Sequence, residues 1–401
     1  MIPALKDPKG VSSVQAGETH SFQTGRVLTI TAAHAVHDTY TAFLPPLLPV
    51  FISKFALSNT HAGALTVFLQ ASSFLQPYIG YLADRVNLRY FVILGPAVAA
   101  VTMSLLGIAP GYALLALLLT IVGLSSAVFH SVAPVVAGRL SGSNLGRGMG
   151  LWMVGGELGR TLGPLVIVTA VNLLTLERTP WLAIAGLLAS LLLYVLLRDV
   201  PAGPQRVQEP ISFREGLRVL RPLLIPLIGV TSARVFMLAA LTTYLPIFLT
   251  TEGADLWVAG ASLTVLEAAG VVGALAGGSL SDRLGRRLVM FVAMITTPLF
   301  MFLFLGTSGW IRLPLLLLLG FTSLSVAPVI MAVVQESAPD ENRAMANGLY
   351  MALSFGIRAI AVLALGAAGD VFGLRLAFAA SAVVPLLGLP FVLLLPRSPS
   401  L

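Results

Sequence analysis

Two related stretches decide the fold: Gly-Tyr-Leu-Ala-Asp-Arg-Val-Asn-Leu-Arg at 80–89 and Gly-Ser-Leu-Ser-Asp-Arg-Leu-Gly-Arg-Arg at 278–287. Glycine, leucine, aspartate and two arginines occur at the same spacing in both, and each matching pair is 198 residues apart. A second pair of stretches, Gly-Leu-Trp-Met at 150–153 and Gly-Leu-Tyr-Met at 348–351, has the same offset. An offset of nearly half the chain, found twice, indicates a duplication and two related halves.

The composition places these halves in a lipid bilayer. The chain of 401 residues is 57% hydrophobic and only 10% charged, with a mean hydropathy of +0.93. Soluble domains carry about 25% charged residues. The net charge of +7 comes from short arginine clusters between apolar runs rather than from one basic face, which argues against nucleic acid as a partner. With 0 cysteines, the chain has neither disulfides nor thiolate metal sites.

Apolar runs bounded by charge, glycine or proline predict about twelve membrane-spanning helices. They divide the chain into a cytosolic tail (1–26), two six-helix halves (27–197 and 222–401) and a polar linker (198–221). The predicted spans are 27–50, 61–82, 89–108, 112–136, 147–171, 180–197, 222–249, 257–279, 288–306, 312–335, 343–368 and 372–395.

Lysine and arginine are distributed very unequally between the two sides of these spans. With the N-terminus inside, the inner segments hold 17 of the 24, the outer loops hold 4, and the spans hold 3. The positive-inside rule therefore predicts that both termini are cytosolic. The first 25 residues are polar and carry no signal-peptide pattern, so we expect the first span to direct insertion.

The Gly-x-Leu-x-Asp-Arg-x-x-x-Arg pattern after spans two and eight resembles the loop signature of the major facilitator superfamily. The resemblance implies an all-α fold of two six-helix pseudo-symmetric halves, with a binding site between them at mid-membrane. Glycine allows close backbone approach, the aspartate suits a helix N-terminus of the facing half, and the arginines can pair with acids or lipid headgroups. We therefore interpret these residues as a gate; the alternative is simple topological anchoring. They are Gly80, Asp84, Arg85, Arg89, Gly278, Asp282, Arg283 and Arg287.

Span one contains the densest polar cluster within any predicted span. His34, His37 and Asp38 occupy positions i, i+3 and i+4 and so share one helix stripe. Because histidine titrates near neutral pH beside an acid, the cluster predicts a proton relay. A divalent-metal site and a merely hydrogen-bonded histidine are the alternatives. His130 in span four raises the same question in isolation, and Gln70 in span two either lines a cavity or bonds a neighbouring helix.

The remaining charges inside the spans mark candidate substrate or proton residues, because charge in a bilayer is costly without a partner or a cavity. Glu157 and Arg160 are three residues apart and could form a self-neutralising pair. Arg234, Glu267 and Arg358 have no such neighbour, so each must find a partner across the bundle or bind something else. Three intramembrane arginines favour an anionic or zwitterionic substrate.

Small residues form a smooth face on span five. Gly155, Gly159 and Gly163 lie at i, i+4 and i+8, followed by Pro164. This spacing allows close helix packing in lipid. It also resembles the glycine-proline motif of facilitator-type antiporters, although span eleven lacks equivalent glycines. The glycines are therefore consistent with two interpretations, a helix-packing ridge and an antiporter motif.

Several motifs of the first half resemble the fosmidomycin resistance protein family of efflux pumps. They are His34 and Asp38 with the proline-rich stretch that follows, Phe-Leu-Gln-Ala-Ser-Ser-Phe-Leu-Gln-Pro at 68–77, Ser-Ala-Val-Phe-His at 126–130, and the glycine-rich run at 154–164. The family usually shows proline and glutamate after Phe-His, whereas Ser131 and Val132 follow here. The resemblance thus leaves a proton role of span four unsupported, and the second half matches only at superfamily level.

The sequence as a whole predicts a proton-coupled antiporter of the bacterial inner membrane that exports small organic molecules or drugs. The resemblance implies that it acts as a monomer, with the proton as coupling ion and no other cofactor or metal. An uptake carrier for a small metabolite or divalent metal is the main alternative. No His-Glu-x-x-His or serine-elbow motif is present, so we do not expect an enzyme.

Overall fold

A computed structural model describes residues 22–76, 78–79, 89–142, 144–199, 213–337 and 343–395. The side chains at 213–220, 222, 343–345 and 347 are outside the described part. The described residues are helical with short connections and contain no strand.

The described part of the N-terminal half contains seven α-helices that make six crossings. These are α1 (Thr24–Thr41), α2 (Leu44–Phe55), α3 (Asn59–Ala71), α4 (Arg89–Leu105), α5 (Tyr112–Leu140), α6 (Leu145–Leu174) and α7 (Ala183–Leu197). A single predicted span, 27–50, is in fact two helices, because α1 ends at Thr41 and α2 begins with prolines in its first turn. Proline has no N–H to continue a helix but is tolerated at a helix start.

The C-terminal half repeats this arrangement. Its helices are α8 (Phe213–Ala239), α9 (Leu245–Thr251), α10 (Leu256–Leu284), α11 (Arg286–Leu305), α12 (Arg312–Glu336), α13 (Arg343–Phe372), α14 (Leu374–Leu387) and α15 (Leu389–Leu394). A π-helical turn, Ala240–Tyr244, joins α8 to α9. Ala240 lies 198 residues after Ala42, where α1 breaks, so the first crossing of each half is interrupted at the same place.

Ten of the described helical segments are long and apolar enough to span a membrane. The broken first crossing (α1 and α2) and α3 with the 3₁₀ turn Ser72–Leu75 complete the twelve positions predicted from the sequence. An even number of crossings brings Phe22 and Leu395 to the same end of the bundle. We refer to this as the terminus end, and to the opposite one, where α2 meets α3, as the far end.

The hydrophobic core shows where the halves meet. One cluster of buried residues draws on both halves, and it includes Phe51 of α2 and Phe248 of α9. Two smaller clusters lie nearer the terminus end, and each belongs to one half only. The short helices α2 and α9 contact each other across the halves. The halves therefore join at the far end and separate towards the terminus end.

Glycines bring α1 and α6 together. A Cβ at Gly155, Gly159 or Gly163 would lie 2.4 Å from a backbone carbonyl of α1, those of Thr31, Ala35 and Thr39 respectively. The spacing of four residues on both helices means that the contact repeats every turn. This close approach sets α6 directly against the stripe of α1 that carries the polar cluster.

Candidate functional site

The polar cluster predicted in span one is buried inside the N-terminal half. His34, His37 and Asp38 on α1 are 4%, 0% and 5% exposed. His130, which appeared isolated in the sequence, comes from α5 and completes the cluster. We refer to His34, His37, Asp38 and His130 as the His–Asp cluster.

Two backbone carbonyls fix the orientation of the histidine rings. His34 Nδ1 lies 2.8 Å from the Trp152 carbonyl oxygen, and His130 Nδ1 lies 2.9 Å from that of Ser126. A carbonyl oxygen can only accept, so each Nδ1 carries the hydrogen and donates it. In the neutral tautomer, each Nε2 then presents a lone pair.

These lone pairs point at one another and at a carboxylate. The two Nε2 atoms of His34 and His130 are 3.2 Å apart, and they lie 3.4 and 3.3 Å from oxygens of Asp38. Three acceptors at such distances repel one another unless a hydrogen or a cation lies among them. The geometry therefore favours a bound positive charge at this point.

His37 supports the carboxylate from the other side. Its Nδ1 donates to Asp38 Oδ1 at 3.0 Å, and its ring stacks on Phe129 with centroids 4.4 Å apart. Among the described residues, its buried Nε2 has no hydrogen-bond partner. The ring is thus held by packing, and one polar atom remains available.

Packing against α6 leaves little freedom to the cluster. The His34 ring stacks on Trp152 with centroids 3.7 Å apart. A Cβ at Gly156 would lie 2.5 Å from His34 Cε1 and 3.2 Å from Asp38 Oδ2. Glycine at 156 is therefore needed for the His–Asp cluster to keep this arrangement.

The cluster also suits a metal ion by the type of its donor atoms. Ligand atoms of His34, Asp38 and His130 all lie within 4.8 Å of one another. Two imidazoles and a carboxylate are common ligands of divalent transition metals, and metal-bound histidines often donate their other N–H to a carbonyl. The arrangement thus accommodates either of the two cations considered from the sequence.

The other intramembrane charges form a second group between the halves. On α6, Glu157 and Arg160 form an ion pair, with side chains 28% and 51% exposed. On α10, Glu267 lies within electrostatic range of both Arg160 and Arg358. This group bridges the N-terminal and C-terminal halves.

Threonines hold the arginine of the opposite wall. Arg358 on α13 donates to Thr242 Oγ1 at 2.8 Å, and Thr242 belongs to the π-helical turn between α8 and α9. Sequence reasoning missed this partner, since a threonine in an apolar span carries no recognisable signal. Gln70 on α3 is half-buried, and Arg234 on α8 lies beside a small cavity of the C-terminal half.

The described part of the gating motif ties helices within one half. Gly80, Asp84 and Arg85 lie outside the described residues, and Arg89 donates to the Arg198 carbonyl at the end of α7. In the second copy, Arg286 bonds Asp282 and Glu336, each at 2.6 Å. The sequence pattern pointed instead to the neighbouring arginines of the motif.

Those two arginines have other positions. Arg283 is exposed, and Arg287 donates to the Leu395 carbonyl. Gly278 lies near Pro328 of α12, whose Cβ would be 3.9 Å from a Cβ at 278. The second copy of the motif thus joins α10, α11, α12 and the end of α15, all of the C-terminal half.

At the far end, a carboxylate of one half holds a helix of the other. Asp370 of α13 accepts hydrogen bonds from the backbone N–H groups of Asn59 and Thr60 at 2.6 and 3.0 Å, and from Thr60 Oγ1 at 2.6 Å. These N–H groups belong to the first turn of α3, where a negative charge is favourable. Sequence reasoning missed Asp370, because it lies at the end of a span.

A second contact closes the other side of the far end. Trp257 Nε1 of α10 donates to Thr169 Oγ1 of α6 at 3.1 Å. A Cβ at Gly260 would lie 2.4 Å from Val168 Cγ1, so these helices also touch closely. The far end is thus closed, whereas near the terminus end each half has its own hydrophobic core. The site between the halves therefore faces the terminus end.

Two six-helix halves with a charged site between them are the architecture of a class of membrane transporters. The Major Facilitator Superfamily model matches residues 30–361 and 258–401, and the chain belongs to this family. This confirms the fold and the family resemblance inferred from the sequence.

Relatives of known name are transporters or resistance proteins. The chain is 25% identical to the fosmidomycin resistance protein of Escherichia coli (strain K12), over 96% of each chain. It is 26% identical to the MFS-type transporter YfnC of Bacillus subtilis (strain 168), over 94% of this chain and 93% of that protein. It is 25% identical to the class D tetracycline resistance protein of Salmonella ordonez, over 78% and 80%.

Solved structures share the fold. A bacterial homologue of the human lysosomal transporter Spinster, in an inward-facing and unoccupied conformation, has a TM-score of 0.76 and 15% identity over 92% of this chain and 96% of that chain. The nucleoside transporter NupG also has a TM-score of 0.76, with 13% identity over 92% and 100%. At such identities, the similarity concerns the fold alone.

Proposed function

We propose that this protein is a proton-coupled antiporter that exports small organic molecules across the bacterial inner membrane. The observation that carries the proposal is the convergence of His34 Nε2, His130 Nε2 and the Asp38 carboxylate. A proton among these atoms relieves their mutual repulsion, whereas its departure restores it. The cluster is thus suited to bind and release one coupling proton.

Proton and substrate have separate places in this scheme. The His–Asp cluster lies within the N-terminal half, and the charges at Glu157, Arg160, Glu267 and Arg358 lie between the halves. An anionic or zwitterionic substrate would meet the arginines of the second group. Coupling then acts through the relative motion of the halves and needs no direct competition between proton and substrate.

The glycine contact provides a route for this coupling. The Asp38 carboxylate and His34 lie against α6 at Gly156, and the Glu157–Arg160 pair belongs to the same helix. A change in the protonation of the cluster alters the contacts of α6, which also meets α10 of the other half at the far end. The proton would thereby bias which end of the site is open.

The distribution of arginine and lysine supports a cytosolic position of the terminus end. In the state described above, the site then faces the cytosol, from which an exporter takes its substrate. The named resistance relatives agree with export.

Proteoliposomes with a pH gradient test the proposal. A pH-sensitive dye reports proton flux while anionic, zwitterionic, neutral and cationic compounds are added, and Asp38→Asn is compared with Asp255→Asn. Asp255 caps α10 by accepting from the Val258 N–H at 2.8 Å, away from the cluster. We expect one class of compound to cause proton flux across the vesicle membrane with the wild type and with Asp255→Asn, but not with Asp38→Asn. Proton coupling that persists in Asp38→Asn would contradict the proposal.

A divalent-metal uptake carrier is the second candidate, favoured by the donor atoms of His34, Asp38 and His130. The same vesicles, loaded with a metal-sensitive dye, distinguish the two functions. Metal entry that depends on all three residues, without proton flux for any organic compound, would establish the carrier instead.

A further inference from the structure

Arg234 is a half-buried cation in the C-terminal half, and it has no counter-ion in the described part of the chain. No hydrogen bond or ion pair to another described residue is found for it, and its Nε is buried without a partner. The titratable groups acting on it electrostatically are Tyr350 and a second cation, Arg358. An arginine remains protonated in a protein, so it cannot become neutral to escape this situation. Its charge calls for an anion.

A small cavity lies beside the Arg234 side chain. Its volume is about 20 Å³, and it is bordered by α8, α11, α12 and α14 of the same half. The lining includes Met237, Ala293, Met294, Thr297, Ser323 and Val326. One water molecule needs roughly 10–15 Å³ measured with a water-sized probe, so the cavity holds one small ion or water and excludes an organic substrate.

The polar groups near the cavity are hydroxyls rather than carboxylates. Ser323 Oγ makes only a long hydrogen bond of 3.5 Å to the Gly320 carbonyl, so its proton can turn elsewhere. Thr231, one turn before Arg234 on α8, does not line the cavity, but its buried Oγ1 has no partner among the described residues. A guanidinium with hydroxyl donors suits a small anion and does not suit a cation.

We propose that the C-terminal half binds one small monovalent inorganic anion, of the chloride class, at Arg234. The anion neutralises the arginine inside the bundle and stabilises this half. The site uses none of the residues of the His–Asp cluster or of the charges between the halves, although Arg358 acts on Arg234 electrostatically. It therefore does not depend on the proposed antiport. It lies among helices of one half and need not open during transport.

Thermal unfolding of the purified protein in detergent tests the site. Chloride is titrated against gluconate at constant ionic strength, first in the wild type and then in Arg234→Gln. The matched control is Arg375→Gln, which removes an exposed arginine that bonds Glu252 at the far end. We expect a saturable rise of about 2–4 °C in the Tm of the wild type and of Arg375→Gln, and none in Arg234→Gln.

Two further measurements keep the test decisive if Arg234→Gln does not fold. Arg234→Lys keeps the charge, and we expect it to retain a smaller chloride response. Crystals of the wild type grown in bromide should show an anomalous peak beside the Arg234 guanidinium. The absence of that peak, an equal chloride effect in Arg234→Gln, or a response to methylphosphonate as large as that to chloride would overturn the proposal.

Discussion

The Asp370 contact predicts a measurable shift of the conformational equilibrium. Asp370 of α13 holds the first turn of α3 through three hydrogen bonds, so it stabilises the state with a closed far end. In Asp370→Asn the negative charge is lost, and the amide nitrogen that replaces one carboxylate oxygen cannot accept. Opening the far end breaks this contact in the wild type, so the substitution lowers the free-energy cost of opening.

The size of the effect follows from the exposure of the contact. A hydrogen bond to a charged group contributes about 1.5–3 kcal/mol, and a charge at a helix N-terminus contributes about 0.3–1 kcal/mol. Asp370 is exposed, which reduces both contributions. We expect a net change of about 1–2 kcal/mol, or roughly 5- to 30-fold in the ratio of closed to open far end.

A single reporter cysteine measures this ratio, because the chain has 0 cysteines of its own. Val362 on α13 is 1% exposed, and its side chain faces Gly63 of α3 across the halves. The rate at which a maleimide labels Val362→Cys reports the population with an open far end. We expect Asp370→Asn to increase that rate by the factor above.

Asp255→Asn serves as the control, since it removes a carboxylate that caps α10 at the far end and, among the described residues, bonds the Val258 N–H of its own half. Its labelling rate should stay at that of the parent. A rate unchanged by Asp370→Asn, or increased equally by both substitutions, would refute the assignment of the Asp370 contact as a conformational lock.

Two other residues give separate predictions. Gly156→Ala should displace the His34 ring and reduce proton-coupled flux at least about 10-fold in the dye assay. In the control Gly150→Ala, a Cβ meets nothing within 4 Å, so the variant should transport normally. Equal flux in the two variants would argue against a close fit at Gly156. Burial raises the pKa of Glu252, but hydrogen bonds and charge from Arg312 and Arg375 lower it below the ordinary value. The contribution of Glu252 to stability is therefore complete above a pH of about 4.3 and is lost as the pH falls through the folded-state pKa. The Tm difference between wild type and Glu252→Gln should thus shrink on acidification. A Tm difference that grew on acidification would contradict a lowered pKa of Glu252.

The sequence predicted the helices of this fold because apolar runs and their boundaries are local signals. The repeat at 80–89 and 278–287 similarly predicted two halves without any knowledge of packing. The break after Thr41 was not predicted as an end of a helix, although prolines follow it, because the apolar run continues through it. Hydropathy indicates which residues lie in lipid, but it does not show where a helix is interrupted within an apolar run.

The site was predicted less completely, since its contacts join distant parts of the chain. His34, His37 and Asp38 share a helix stripe that is visible in the sequence, whereas His130 is 96 residues from His34 and joins them only through packing. Asp370 and Thr60 are 310 residues apart, and nothing local connects them. Asp282 pairs with Arg286, one turn further along the chain at the start of α11, although Arg286 is not one of the arginines in the repeated motif.

The interruptions at Ala42 and Ala240 divide the first crossing of each half into a long inner helix and a short outer one. The outer pieces, α2 and α9, contact each other, while the inner helix α1 is fixed to α6 along the glycine ridge. The far end could therefore open by a movement of the two short helices α2 and α9, while α1 and its glycine contact with α6 stay in place. Such a division would let a small occluding movement precede the large rotation of the halves, so that the path across the membrane is never open at both ends.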